Sequence, residues 1–233
     1  MRLHRFYIEQ KVGENTDITI SDAELIHQML DVFRFKIGNQ VILFDGSRSE
    51  YVSEIVSLSK KEIKFKILSH SAKTPPNKNV SLHLALIKKS NFELAAEKCT
   101  EIGVVEIHPV ISERSEKKDL NLERLNKIVK EASEQSGRVT LPRVFEVTDL
   151  ETAVSQAKKD GKKCVAFHPT LFKSRDGASI SKDIVVFIGP EGGWTEKEME
   201  LFKKNNFEIK SLGQNILRAE TAAIVAVWEI LNN

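Results

Sequence analysis

The sequence predicts an α/β domain with a mostly parallel sheet, preceded by a small β-barrel. Three observations carry that expectation. Half-buried strands and a hairpin signal fill the first 68 residues, a proline-containing break follows, and beyond it apolar runs alternate with amphipathic helices. A chain of 233 residues has room for one large domain or two ordinary ones.

The elements follow in order. After a short opening strand, DAELIHQMLDVFRF reads as one amphipathic helix with Ser21 as its N-cap. Residues 41–56 hold an Asp45-Gly46 turn between two apolar stretches, the pattern of a hairpin, and EIKFKIL alternates polar with apolar as a half-buried strand does. The segment SHSAKTPPNKN, residues 69–79, contains Pro75 and Pro76, which neither continue a helix nor sit inside a sheet. The expected division is therefore residues 1–72 and 73–233.

Beyond the break, SLHLALI reads as a strand, followed by a helix with Ser90 and Glu93 in capping-box spacing. VVEIHPV is the next strand, and residues 120–136 form a long helix with Leu122, Leu125, Ile128 and Val129 on one face. KCVAFHP and DIVVFIG are further strands. Unbroken apolar runs of this kind suit parallel strands covered on both faces.

Composition bounds the function. Lys and Arg total 35 against 33 Asp and Glu, a net charge of +2, so bulk charge does not mark a nucleic-acid binder. The longest apolar run, AAIVAVW, is far shorter than the roughly 20 residues of a membrane span, and MRLHRFYIEQ lacks the apolar core of a signal peptide. Cys99 and Cys164 match neither a metal spacing nor a redox pair. A cytoplasmic protein with no metal and no membrane partner is expected.

Two segments carry chemistry. GPEGGWTEKE opens at Gly189, at the end of a buried strand, and holds three glycines in five residues before a second capping-box signature, Thr195 and Glu198. The carboxyl end of a parallel strand is where open α/β sheets bind ligands. Neither GxGxxG nor GxxxxGK[ST] is present, which disfavours a nucleotide-dependent enzyme and favours a ligand without a phosphate chain. The second segment is SLGQNILRAETAA. Gly213 is expected to end a short strand, and Arg218 and Glu220 stand at the mouth of a helix so apolar that it should be buried all round. That Arg and Glu form either a structural ion pair or a functional one. His168-Pro169, at the end of another strand, is placed to line the same pocket.

In these segments the chain resembles the ribosomal small-subunit methyltransferase E family, within the SPOUT class of knotted methyltransferases. The matching stretches are HRF, KKSNFELAAEKCTEIGV, HPVISERS, EASEQSGR with LPRV, IGPEGGWT and LGQNILRAETAA, in the family's order and over nearly the whole chain. The resemblance implies a C-terminal SPOUT-type α/β domain with a deep trefoil knot, an exception to the rule against threaded chains, preceded by a small PUA-like β-barrel for RNA. It implies methyl transfer from S-adenosylmethionine to the imide nitrogen (N-3) of one uridine in 16S ribosomal RNA, by a homodimer. Carried over, the cofactor loops are His168 and Pro169; Gly189, Pro190, Glu191, Gly192 and Gly193; and Leu212, Gly213, Ile216, Leu217 and Arg218. Asn215 stands where the family often has Arg, and Trp194 where Phe is usual.

Arg218 or Arg5 would stabilise negative charge on the uracil carbonyls, and Glu220 would orient that Arg or take the proton. Arg5, Arg34, Lys88, Lys89, Arg114 and Arg138 are the expected contacts to 16S RNA or the small subunit, converging on one face. The competing reading is a non-catalytic dimeric RNA-binding factor for ribosome assembly.

Overall fold

In the computed structural model, which describes residues 3–115, 120–169 and 181–232, the strands fall into two separate sheets. The chain divides into two compact units. The first joins Met1–Pro75 to Ser133–Leu141, and the second joins Pro76–Ala132 to Pro142–Asn233.

The first unit holds β1 (Arg5–Tyr7), β2 (Asp17–Ile20), α1 (Ala23–His27), β3 (Gln40–Phe44), β4 (Ser49–Leu58) and β5 (Ile63–Ala72). Its five strands run in the order β1-β3-β4-β5-β2, antiparallel except for the β1–β3 pair. The Asp45-Gly46 hairpin is present. Two register shifts in β4, at Val52/Ser53 and Ile55/Ser57, interrupt the ladder, and such bulges bend and twist a sheet. Phe6, Leu25, Met29, Leu43, Ile55 and Phe65 fill the core beneath it.

The helix expected over 22–35 is shorter. Its cap is Asp22, not Ser21, because the Asp22 carboxylate accepts from the Leu25 backbone N–H at 2.7 Å. After His27 the chain makes a π-helical turn, Gln28–Val32, closed by Phe33 N–H to Gln28 C=O. It leaves that turn through Arg34 at φ +54°.

The second unit contains β6 (Asn79–Ala85), α2 (Lys89–Ile102), β7 (Glu106–Ile111), α3 (Leu122–Ser136, whose last turn from Ser133 is counted with the first unit), β8 (Arg143–Val144) and β9 (Thr148–Asp149). These lead into α4 (Leu150–Lys159), β10 (Lys163–Phe167), β11 (Asp183–Ile188), α5 (Glu196–Lys204), β12 (Glu208–Lys210) and α6 (Ala219–Asn232). The strand order is β12-β10-β11-β6-β7-β8, with β9 also on β7, and every pair is parallel. One face is packed by α2, α3 and α6 through Phe92, Leu125 and Ala223, the other by α4 and α5 through Val154 and Phe202. Two covered faces explain why the strands read as continuous apolar runs.

Four local expectations are corrected. The proline break is shorter than residues 69–79, since β5 runs to Ala72 and β6 begins at Asn79. Ser90 does not cap α2: the helix begins one residue earlier, at Lys89, and the Glu93 carboxylate pairs with Arg124 at 2.8 Å instead. The strand before Gly213 already ends at Lys210. Finally, α6 buries only one face; Thr221 and Trp228 are exposed, the latter at 55%.

A row of rings crosses the second sheet. Phe145, His108, His83 and Phe187 stack side by side with centroids 3.9, 4.1 and 4.4 Å apart, because the parallel register sets His83 opposite both His108 and Phe187. His83 is buried, and burial, reinforced by His108 and Lys162, holds its pKa well below the ordinary histidine value against the opposing pull of Glu106. Glu106 accepts from Ser81 Oγ and Lys162 Nζ.

Candidate active site

Three neighbouring strands, β12, β10 and β11, run parallel, so their carboxyl ends open on one edge. The loops that follow them are residues 211–218, His168-Pro169 and residues 189–193. All three segments expected to hold the cofactor are thus brought together by the sheet order.

The loop after β11 is fixed by side chains of the protein itself. Trp194, 4% exposed, donates its indole N–H to Phe167 C=O at 3.1 Å and so ties this loop to the end of β10. Its ring lies against Gly189, where an added Cβ would stand 3.1–3.3 Å from three indole atoms. Gly193 N–H bonds Pro190 C=O to close the turn. At the far end Thr195 and Glu198 form the expected capping box.

Glu198 does more than cap. Its buried carboxylate accepts from Thr195 N–H at 2.7 Å and from Glu113 N–H, in the loop after β7, at 2.9 Å. Thr195 Oγ1 donates to the Glu113 carboxylate, and Arg114 Nη1 donates to Gly192 C=O at 2.6 Å. A Cβ on Gly192 would stand 3.1 Å from the Arg114 side chain, so a larger residue would have to push that side chain aside. The sequence shows the capping box but not its second task, because Glu113 lies 85 residues from Glu198.

The loop after β12 is different in kind. Gly213 and Arg218 are exposed, Leu212 and Leu217 half-buried, and Ile216 is 83% exposed. Arg218 C=O accepts from Ala222 N–H to open α6, but its side chain makes no ion pair with Glu220 among the described residues. Glu220 is 7% exposed, and its Oε2 has no hydrogen-bond partner there. His168, whose N–H bonds Lys210 C=O, has a pKa lowered by partial burial and by Lys203. Among the described residues no group of His, Cys, Asp and Glu is spaced to hold a metal ion.

The expected RNA contacts fall into two sets. Lys88 and Lys89 follow β6, and Arg114 follows β7, on the same carboxyl edge as the cofactor loops; all three are exposed. Arg5, Arg34 and Arg138 lie in the first unit. The Arg5 side chain is 8% exposed, with Nη1 on the Glu50 carboxylate at 2.7 Å and Nη2 on the carbonyls of Gly137 and Arg138. Burial of Glu50 is outweighed by Lys73 and Arg5, which hold its pKa below the usual range. Arg138 is half-buried, and desolvation pulls its pKa down to about 10. Of this set Arg34 alone is exposed.

A family described as an RNA methyltransferase domain matches residues 74–230, and an RNA methyltransferase PUA domain matches residues 22–68. The ribosomal RNA small subunit methyltransferase E of Rickettsia conorii is 31% identical over 99% of this chain and 96% of its own. That of Bacillus subtilis is 29% identical over 98% and 96%. The chain belongs to the ribosomal RNA small subunit methyltransferase E family. Among solved structures, the Neisseria gonorrhoeae member bound to S-adenosyl methionine superposes with a TM-score of 0.89 at 27% identity, covering 98% of this chain and 97% of that one. A putative methyltransferase of Legionella pneumophila, in complex with the same cofactor, gives 0.87 at 29%, covering 99% and 97%. The family architecture, a PUA-like domain followed by a SPOUT-class α/β methyltransferase domain, is the one described above, and membership makes the chain an RNA methyltransferase.

Proposed function

We propose that this enzyme transfers a methyl group from S-adenosylmethionine to N-3 of one uridine in 16S ribosomal RNA, in the cytoplasm, as a homodimer without a metal. The observation that carries the reading is the meeting of three loops at the carboxyl ends of β12, β10 and β11. Its backbone groups suit a ligand without a phosphate chain, and the buried Glu220 oxygen, unpartnered among the described residues, offers an acceptor at the start of α6. His168, Pro169, residues 189–193 and residues 212–218 would hold the cofactor. When bound, it supplies an electrophilic methyl group on a cationic sulfur.

The chain's own groups do the rest. Orientation supplies much of the rate in such a displacement. Arg218, exposed and without an ion pair among the described residues, is the cation we assign to the charge that develops on the uracil carbonyls once N-3 loses its proton. Glu220 takes that proton or orients Arg218. Arg5 is not assigned this role, because its guanidinium is buried against Glu50. Lys88, Lys89, Arg114, Arg34 and the half-buried Arg138 are assigned to RNA.

The homodimer is supported by α6, whose Trp228 and Thr221 face is open to solvent although the helix is apolar. Two copies joined there would bury it, and Trp228→Glu should then yield a monomer by light scattering. The trefoil knot belongs to the same proposal, supported by the convergence of the loops. N-3 methylation blocks base pairing, so reverse transcription should stop at the modified uridine. Ribosomal RNA from a strain lacking this gene should lose one stop; a full set of stops would sink the assignment.

A further inference from the structure

We propose that the first unit carries a stacking ledge for an unpaired nucleotide of RNA, built from His4, Phe33 and Phe35 with the cations Arg34 and Lys36. The ledge rests on the reading of this chain as an enzyme acting on ribosomal RNA. Its geometry comes from the turn after the π-helical segment. The Phe33 and Phe35 rings are nearly parallel, at 14° with centroids 5.5 Å apart. The exposed His4 ring lies 4.5 Å from Phe33 and 5.7 Å from Phe35. Fully buried Phe6 stands edge-on to both phenylalanines and anchors them to the core. The outermost ring is thus held from below and open above.

Three further features single out this place. Val32 and Ile37, flanking it in sequence, are 62% and 65% exposed, and clustered apolar exposure marks interaction sites. Arg34 sits at φ +54°, a left-handed conformation that a long side chain rarely adopts and that it shares with Arg48 and Asn206. Among the described residues neither Arg34 nor Lys36 makes an ion pair. Two cations alternating with two aromatic rings in Phe33-Arg34-Phe35-Lys36 match the chemistry of a single-stranded nucleotide, which offers π-faces and phosphates together. A duplex hides those faces. Phe33, Arg34, Phe35 and Lys36 also lie within residues 22–68, the span matched by the RNA methyltransferase PUA domain.

The test uses the full-length protein and three variants, His4→Ala, Arg34→Gly and Lys36→Ala. Glycine at position 34 relieves the left-handed strain, so loss of the fold does not confound that variant. The probes are a fluorescein-labelled oligouridylate, the same strand in a duplex, and phosphatidylserine vesicles. The wild type should prefer the single strand. His4→Ala and Arg34→Gly should each weaken that binding by about 10-fold, with unchanged S-adenosylmethionine affinity in calorimetry. The Lys36→Ala effect should fade at high salt while the His4→Ala effect persists. Wild-type affinity in both His4→Ala and Arg34→Gly would overturn the ledge, as would equal binding of duplex, or a ledge-dependent grip on vesicles without one on oligouridylate. Unchanged affinity alongside an intact reverse-transcription stop removes the ledge alone; loss of no stop on gene deletion removes the function itself.

Discussion

Two loops at the same edge of the second sheet are built on opposite terms. The loop after β11 is held by Trp194, Arg114, Glu113 and Glu198, all supplied by the protein. The loop after β12 presents Ile216 and Arg218 to solvent and leaves the Glu220 oxygen unpartnered among the described residues. The first is preorganised, so binding costs it little ordering; on the function proposed above, the second would acquire its contacts from a ligand or a second copy. One wall of the cradle sets shape, and the other is left to respond.

The largest break in that contrast should come from Trp194→Ala. Removing a buried indole costs roughly 3–5 kcal/mol, and with it goes the bond to Phe167. At about 2–4 °C per kcal/mol for a chain of this size, calorimetric melting should fall by on the order of 10 °C. Glu198→Ala strips two backbone donors of a buried carboxylate and should cost about 2–3 kcal/mol. It should also weaken S-adenosylmethionine binding, whereas Glu198→Gln, which keeps one acceptor oxygen, should recover part of both. A Glu198→Ala protein that melts like the wild type would mean the loop is not held this way.

Acid should reach the fixed loop from beneath, since His83 stacks on Phe187, two residues before Gly189. A histidine kept neutral in the fold has a folded pKa below its unfolded value of about 6.5. The unfolded chain then gains a proton that the folded one refuses, so stability is complete above that pH and declines below it. Stability should therefore fall between pH 7.5 and 5.0, read by chemical denaturation, and His83→Phe should flatten the fall. Glu106, with its pKa lowered first by His108 and further by Ser81 and Lys162 against burial, contributes stability that is lost only below its unfolded range near pH 4.5, outside that window.

The smallest stability effect sharpens the other side. Ile216→Ala should leave melting within about 0.5 kcal/mol of wild type, yet lower S-adenosylmethionine affinity by about 10-fold in calorimetry. Equal affinity would mean that the open loop plays no part in the cradle.

What could be read in the sequence follows the range of the forces involved. The Asp45-Gly46 turn, the buried runs of β6, β10 and β11, and the Thr195–Glu198 box depend on near neighbours, and they stand as expected. The convergence of three loops was legible because the carboxyl ends of parallel strands share an edge. Long-range pairings left no trace. Nothing local to HRF shows that Arg5 would be buried on Glu50, or that Glu198 would reach Glu113. Ser21 and Ser90 satisfied the spacing rule for caps, yet Asp22 and Lys88 stand at those positions, because the helix starts are set by where the chain leaves the preceding turn or strand. The proposed ledge is not legible in the sequence, where Arg34 reads as an isolated charge and nothing local brings His4 against Phe33 and Phe35.

The composition of the first unit bears on how the protein is made. Its strands are complete by Ala72, but β1 depends on residues that come much later. Arg5 bonds the carbonyls of Gly137 and Arg138, and Tyr7 N–H bonds the Glu134 carboxylate. During synthesis at about 5–20 residues per second, the barrel therefore waits on the order of several seconds, while most of α2, β7 and α3 emerges, before its last stretch of chain arrives. A nascent chain stalled just past Pro75 should be open to protease at β1, and one stalled well beyond Leu141 should be protected. The N-terminal unit comes first in the message, yet its chain is complete only at Leu141, after more than half of the protein has been made.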